Sequence, residues 1–251
     1  MTENNHTLIG QSQAIAEVRR RIAIFAPTDH PVLILGERGT GKNLCASAIH
    51  AASRRRGKQL VSVDCGSLPG SLLESALFGH ERGAFTGAVR RATGLLEECN
   101  GTTLFLDEIA LLPVEGQGRL LRFLEEGRIR RIGARVDQII RCRIIAATNR
   151  DLKAAEESGQ FLPDLHDRLN VLRIHMPPLR ERPEDIPALA NYFLSRLPEK
   201  RRPVLQVGAI TVLKQYPFPG NVRELRNLCH RLETFYPGEP VSGTEIKHVL
   251  V

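Results

Sequence analysis

The sequence contains no long hydrophobic run. None of its apolar stretches approaches the roughly 18 consecutive residues that a membrane-spanning helix needs, so we expect no membrane contact. The first ten residues, MTENNHTLIG, lack the basic, apolar and small-residue order of a signal peptide. Together the two absences predict a cytoplasmic protein.

Cysteine and histidine do not occur in metal-binding patterns. The five cysteines show no C-x-x-C spacing and are odd in number, which favours reduced thiols over a disulfide framework. The eight histidines are scattered without ligand spacing. We therefore expect most of them to be ordinary surface or core residues.

The chain also lacks a concentrated block of charge. Its formal net charge is +7, but the basic excess is +4 up to residue 176 and +3 after it. A nucleic-acid-binding face would gather such charge in one place, so charge alone does not establish DNA binding. With 42% hydrophobic and 25% charged residues, the 251-residue chain can form a packed core.

Short apolar runs alternate with amphipathic stretches over the first two thirds of the chain. Apolar residues recur at helical spacing in residues 14–26 and 117–127, which predicts amphipathic helices there. Four apolar runs predict buried strands: residues 31–36, 59–65, 102–108 and 141–149. This alternation predicts an α/β fold, in which helices cover both faces of a parallel sheet and ligands bind beyond the carboxyl ends of the strands.

Prolines interrupt this pattern at residues 176–187, and the sequence after them predicts helices alone. We therefore expect two domains, an α/β domain at residues 1–176 and a small helical domain at 177–251. Residues 126–144 predict a hairpin that precedes the last strand of the sheet.

The segment GERGTGKN, residues 36–43, matches the phosphate-binding P-loop pattern G-x-x-x-x-G-K. Its three glycines allow backbone N–H groups to surround phosphate oxygens, and Lys42 supplies a cation for the outer phosphates. Asn43 stands where a hydroxyl residue would bind Mg²⁺. The predicted nucleotide-binding residues of this loop are Gly36, Glu37, Arg38, Gly39, Thr40, Gly41, Lys42 and Asn43.

Polar residues at two strand ends supply the remaining parts of a nucleotide hydrolase. Asp107 is predicted to hold Mg²⁺, and Glu108 to orient and deprotonate the attacking water. Asn149 follows another strand, and its amide can reach the terminal phosphate or the water. Phosphoryl transfer requires positioning and charge neutralisation more than covalent chemistry, so these residues predict nucleotide hydrolysis.

Six segments resemble the AAA+ central domain of sigma-54-dependent transcription activators, the bacterial enhancer-binding proteins. They are GERGTGK, ALFGHERGAFTGA, GTTLFLDEIALLP, IIAATNRDL, RLNVLRIHMPPLRER and FPGNVREL. The resemblance extends from about residue 8 to residue 235, and the GAFTGA hexapeptide is among the most specific motifs of the family. Within the family the chain looks most similar to the phage-shock activator type, whose AAA+ domain also starts at the amino terminus, and this similarity is an expectation. The resemblance implies ATP and Mg²⁺ as cofactors.

In that family the hexapeptide loop contacts sigma-54 in RNA polymerase, and ATP hydrolysis moves it. The resemblance therefore implies partner-binding roles for Gly83, Ala84, Phe85, Thr86, Gly87 and Ala88. From the residues alone, a Phe85 ring folded back onto its own domain is the favoured interpretation. With the resemblance, we expect the ring to reach the partner instead.

The resemblance also implies a ring, usually a hexamer, whose subunits share their ATP sites. Arg168 matches an arginine finger that stabilises transition-state charge in a neighbouring subunit. The second finger position is Leu162 in this chain, which puts the hydrolysis rate in doubt. Arg223 matches the sensor arginine of the lid.

Asp64 is a further departure, because the family commonly has asparagine there to restrain the catalytic glutamate. An aspartate cannot donate an amide hydrogen bond to Glu108 and repels it when both are ionised. We therefore expect looser coupling between the loop and hydrolysis.

Three functional alternatives follow from these residues. The first is an ATPase that remodels sigma-54 RNA polymerase, and the second is an AAA+ remodeller of another target, against which the hexapeptide argues. The third is a regulatory module that binds nucleotide and hydrolyses it weakly, as Leu162 and Asp64 suggest. Arg128, Arg130 and Arg131 belong either to a solvated hairpin or to a pore that contacts promoter DNA or polymerase.

Overall fold

A computed structural model describes residues 7–250, so part of the segment in which we predict no signal peptide lies outside the described residues. The helices are α1 (Gln13–Phe25), α2 (Lys42–Ala51), α3 (Gly70–Phe78), α4 (Leu95–Glu98), α5 (Val114–Glu126), α6 (Leu152–Glu157), α7 (Pro163–Leu169), α8 (Ile186–Ser195), α9 (Val207–Gln215), α10 (Asn221–Phe235) and α11 (Gly243–Leu250). The strands are β1 (Val32–Leu35), β2 (Leu60–Asp64), β3 (Thr103–Asp107), β4 (Arg128–Ile129), β5 (Gln138–Ile139), β6 (Arg143–Thr148), β7 (Leu172–His175), β8 (Val204–Leu205) and β9 (Pro240–Val241).

Five strands form the central sheet in the order β2-β3-β6-β1-β7. The pairs β2/β3, β3/β6 and β6/β1 are parallel, with Asp64 opposite Asp107 and Leu35 opposite Thr148. Since the carboxyl ends of these strands share one edge, the residues that follow them gather at that edge. The predicted α/β fold with a parallel sheet is confirmed.

Burial explains why the central strands are so uniformly apolar. All six residues of β6 and four of the five in β3 are buried, as expected for strands covered by helices on both faces. By contrast, β2 lies at the sheet edge and none of its residues is fully buried. The sheet packs against helix residues such as Leu73, Leu120 and Phe123 in one hydrophobic core.

Two compact units divide the described chain. One contains Ile22–Leu35 and Cys45–Ile174, and the other contains the residues up to Arg21, Gly36–Leu44 and those from His175 onward. The glycine-rich loop belongs to the second unit because residues 37–40 hydrogen-bond to its carboxy-terminal part. The predicted division at residue 176 does not coincide with these units, and it stays a proposal.

The carboxy-terminal helices α8 to α11 surround a core of their own, which includes Leu189, Leu213, Leu228 and Ile246. The prediction of helices alone was wrong in one detail, because β8 and β9 pair in parallel within this segment. Each has only two residues, too few to show a strand pattern in the sequence. The sequence also did not predict β7. The hairpin is confirmed, since β4 and β5 pair antiparallel.

Within residues 7–250, no helix combines the length and apolar character that membrane crossing requires.

Candidate functional site

The loop at residues 36–43 has the backbone conformation that its glycines allow. Gly39 has a φ of +77°, and a Cβ added there would lie 2.2 Å from the carbonyl oxygen of Gly220. Any other residue at this position would clash with backbone, so Gly39 is required for close approach. The Lys42 ammonium, at the start of α2, donates to the carbonyl oxygens of Gly36 at 3.0 Å and Glu37 at 3.2 Å.

This lysine is 5% exposed, and the loop curls around it. The hydroxyl of Thr40 donates to the carbonyl oxygen of Glu37 at 2.8 Å, which closes the turn. Asn43 is exposed on the first turn of α2. The loop therefore combines a buried cation and a helix N-terminus, the two features that bind phosphate.

Arg38 and Arg223 line the same cavity of about 610 Å³. Both side chains belong to exposed residues, and the backbone N–H of Arg223 donates to the carbonyl oxygen of Gly39 at 3.3 Å. Arg231 lines the cavity as well. The sequence predicted Arg38 and Arg223 separately, and the structure brings them to one cationic cavity beside the loop.

Glu108 and Asn149 lie together beyond the carboxyl ends of β3 and β6. The carboxylate of Glu108 accepts a hydrogen bond from the backbone N–H of Asn149 at 3.3 Å. Glu108 has a left-handed backbone, with φ 51° and ψ 47°, a conformation that is uncommon for residues other than glycine and asparagine. Asp107 accepts from the backbone N–H of Glu108 at 3.1 Å.

Asp64 is exposed and engages its own loop. Its Oδ1 accepts a hydrogen bond from the backbone N–H of Gly66 at 2.8 Å. Burial, and then the negative charges of Asp64, Asp107 and Glu108, raise the pKa of the Cys65 thiol to about 12. The three predicted acidic residues therefore lie close enough to Cys65 for their charges to disfavour its thiolate form.

Arg168 lies on α7, and its guanidinium contacts Glu125 at 3.2 Å in a solvent-exposed ion pair. Exposed pairs of this kind are weak, so the arginine is available to another partner. Leu162, at the second finger position, packs instead against the hydrophobic core of the sheet unit. Its backbone N–H donates to the side chain of Gln117 at 2.8 Å. In this chain, the side chain at position 162 therefore packs against the core.

The hexapeptide at residues 83–88 is a closed turn. The backbone N–H of Gly83 donates to the carbonyl oxygen of Ala88 at 2.9 Å, and that of Ala88 donates to Phe85 at 3.0 Å. Ala88 is buried, whereas Thr86 and Gly87 are exposed. The turn therefore has a defined shape rather than that of a loose arm.

The Phe85 ring is 40% exposed and contacts the imidazole of His80, with ring centroids 5.0 Å apart in an edge-to-face arrangement. The side chain of Ser75 hydrogen-bonds to the Nδ1 atom of His80 at 2.7 Å. The expectation that the ring reaches a partner stays a prediction. In this structure one edge of the ring packs on His80, and the rest remains open to solvent.

The arginines of the hairpin differ sharply in exposure. Arg131 is 4% exposed and bonds Glu97 at 2.6 Å and Glu81 at 3.0 Å. Arg130 bonds Asp137 at 2.7 Å. The pore hypothesis was wrong for Arg131, because a buried guanidinium held by two carboxylates is not presented to DNA.

Sequence reasoning missed the polar residues that hold the loop. Arg180 bonds Glu37 through two hydrogen bonds of 2.8 and 2.6 Å, and Asn221 bonds the same carboxylate at 3.1 Å. Arg182 is buried and donates to the carbonyl oxygen of Thr40 at 3.2 Å. The only sequence signal was their position inside the segments MPPLRER and FPGNVREL.

Comparisons with known proteins agree with this geometry. The Sigma-54 interaction domain family matches residues 8–175, and the AAA+ ATPase lid domain matches residues 180–250. The chain is 47% identical over 244 residues to the transcriptional regulator NtrC of Bradyrhizobium, and 45% identical over 249 residues to the regulator ZraR of Escherichia coli K12. These alignments cover 95% and 98% of this chain but 50% and 56% of the relatives, so the chain spans about half their length.

The crystal structure of NtrX from Brucella abortus in complex with ATP has a TM-score of 0.87 and 34% identity to this chain. The alignment covers 95% of this chain and 54% of NtrX. The predicted AAA+ fold with a helical lid is confirmed, whereas the likeness to the phage-shock type stays a prediction. The chain belongs to the Sigma-54 interaction domain family, within the AAA+ P-loop proteins.

Proposed function

We propose that this chain binds and hydrolyses ATP and uses the energy to remodel sigma-54 RNA polymerase. Three features support the nucleotide part: the glycine-rich loop around Lys42, the acidic end of β3, and the similarity to NtrX, which was crystallised with ATP. The family match supports sigma-54 as the partner.

The observation that carries hydrolysis is the placement of Glu108. Its left-handed backbone follows directly on the end of β3, and the Asn149 N–H donates to one of its carboxylate oxygens. The carboxylate can accept a proton from a water that attacks the terminal phosphate. Lys42 and a neighbouring subunit's arginine would neutralise the charge that develops on the phosphates.

The donor set suits Mg²⁺ bound together with phosphate. Among the described residues, no group of three or more His, Cys, Asp or Glu side chains could hold a metal alone. Mg²⁺ usually takes one or two protein carboxylates and completes its shell with phosphate oxygens and water. Asp107 would be the carboxylate ligand, and the ion would neutralise phosphate charge.

Replacing Arg168 with alanine tests the shared site. In a ring, ATPase activity per chain should rise with protein concentration as subunits supply Arg168 to one another. Arg168→Ala should lower the assembled rate by about a thousandfold or more, because an arginine finger stabilises transition-state charge. A phosphate-release assay over a concentration series measures this. Arg20→Ala, which also breaks an exposed pair with Glu17, is the control, and equal rates for the two variants would exclude the finger.

Asp64→Asn tests the coupling between the acidic cluster and the partner. Asparagine keeps an oxygen for the Gly66 N–H and gains an amide that can restrain Glu108. We expect basal hydrolysis to fall about fivefold, since one such hydrogen bond contributes about 1 kcal/mol, and the response to sigma-54 to increase. Unchanged basal and stimulated rates would contradict this role for Asp64.

Open-complex formation on a sigma-54 promoter, with ATP and the purified chain, tests the function as a whole. Formation that depends on ATP supports the proposal. Hydrolysis without open complexes would favour an AAA+ remodeller of another target. ATP binding with weak hydrolysis at every protein concentration would favour the regulatory module, which the packing of Leu162 in the core allows. Promoter contact and hexamer formation remain part of this proposal.

A further inference from the structure

Asn221 is the first residue of α10, and it is fully buried with a φ of +55°. Asparagine is one of the few residues that adopt this left-handed backbone at low cost. A polar side chain buried to this degree must find hydrogen-bond partners. The residue is therefore required both by backbone geometry and by what its amide contacts.

The amide of Asn221 joins three separate segments. Its Oδ1 accepts from the backbone N–H of Leu179 at 2.7 Å. Its Nδ2 donates to the Glu37 carboxylate at 3.1 Å and to the Arg38 carbonyl oxygen at 3.0 Å. Since one end meets a donor and the other meets two acceptors, only one orientation of the amide satisfies all three bonds.

The surrounding contacts extend this link along the glycine-rich loop. Arg180 holds Glu37, Arg182 reaches Thr40, and the Arg223 N–H reaches Gly39. Hydrogen bonds from Arg180 and then from Asn221 lower the pKa of Glu37 to about 2. Glu37 is therefore ionised at neutral pH and is a strong acceptor for the amide.

We propose that Asn221 is a positioning residue for the nucleotide. It holds residues 37–40 in the conformation that receives phosphates, and it ties this loop to the helix that carries Arg223. The inference rests on the proposed binding of ATP. A residue with this role acts on affinity and on nucleotide release, because it shapes the loop without touching the reacting atoms. Its loss should therefore change KM far more than kcat.

Asn221→Asp is the sharpest variant. Aspartate tolerates the left-handed backbone and keeps an acceptor for Leu179, but it places an oxygen against the Glu37 carboxylate and the Arg38 carbonyl. We expect KM for ATP and the release rate of a fluorescent ATP analogue to rise about tenfold, with kcat within about twofold of wild type, because charge repulsion replaces two hydrogen bonds.

A second substitution separates positioning from folding. Adding Glu37→Gln to Asn221→Asp removes the repulsion and supplies an amide that can donate to the new carboxylate. We expect ATP affinity to return to within about threefold of that of Glu37→Gln alone. Asn191→Asp, the same change at an exposed position of α8, is the matched control and should leave affinity and melting temperature unchanged.

Asn221→Gly keeps the experiment decisive if the aspartate variant does not fold. Glycine adopts the same backbone and removes all three side-chain bonds, so affinity for ATP should fall and Glu37→Gln should not restore it.

If the wild-type protein binds ATP without turnover, the proposed hydrolysis is overturned, and the ATP affinities of the Asn221 variants still test the role of Asn221. Wild-type protein that binds no ATP would overturn both. Asn221 variants with wild-type affinity and release rate would overturn this inference only.

Discussion

Replacing Glu108 with glutamine is expected to lower ATP turnover by about a thousandfold while leaving ATP affinity within about threefold of wild type. Glutamine has nearly the same shape and can still accept the Asn149 N–H bond. It cannot take a proton from water, and general-base catalysis together with water positioning contributes factors of this size. The loss should therefore fall on kcat.

Single-turnover phosphate release, with a fluorescent ATP analogue to measure binding, tests this expectation. Glu115→Gln is the matched control, because it makes the same change at an exposed position of α5. A Glu108→Gln protein with near wild-type turnover would show that another group activates the water. Asp107 and Asp64, whose charges act on Cys65 together with that of Glu108, would then be the next candidates.

Replacing Phe85 with alanine is expected to abolish stable binding to sigma-54 and open-complex formation while ATP hydrolysis continues. The ring lies at the tip of a hydrogen-bonded turn, and 40% of its surface is exposed. Burial of a phenylalanine side chain contributes roughly 1.5–3 kcal/mol, so its removal weakens a small interface by at least about tenfold. If six copies bind together in a ring, the loss of sigma-54 binding is larger.

Binding of sigma-54 in the presence of ADP and aluminium fluoride measures the Phe85 effect. Phe235→Ala, at a phenylalanine that is 60% exposed on α10, is the control. Partner binding by Phe85→Ala at the wild-type level would remove this residue from the interface. Loss of both hydrolysis and binding would instead indicate a damaged fold.

The contact with His80 adds a competing position for the same ring. Phe85 must give up an edge-to-face contact at 5.0 Å before its whole surface can meet a partner. Such contacts contribute about 0.5–1.5 kcal/mol beyond area burial, less than the burial available in an interface. The structure thus shows the ring in contact with its own domain, and we expect a partner to displace it from His80.

Several features could be predicted because their signals are local. The apolar runs became β1, β2, β3 and β6, and the glycine spacing marked the phosphate loop. The hexapeptide identified the family, which the comparisons confirm. By contrast, β8 and β9 have two residues each, and their pairing depends on chain segments more than thirty residues apart.

The sequence by itself determined the α/β fold, the phosphate loop, the acidic strand end and the family, because strand periodicity and motif spacing operate over a few residues. Only the tertiary structure decided which polar groups meet. Asn221 reaches Glu37 across 184 positions of sequence, and Arg143 can lie in a fully buried strand because it donates to carbonyl oxygens of Phe25 and Ala26. A buried polar group is stable only with a suitable partner, and no local pattern states which distant residue the folded chain will bring beside it.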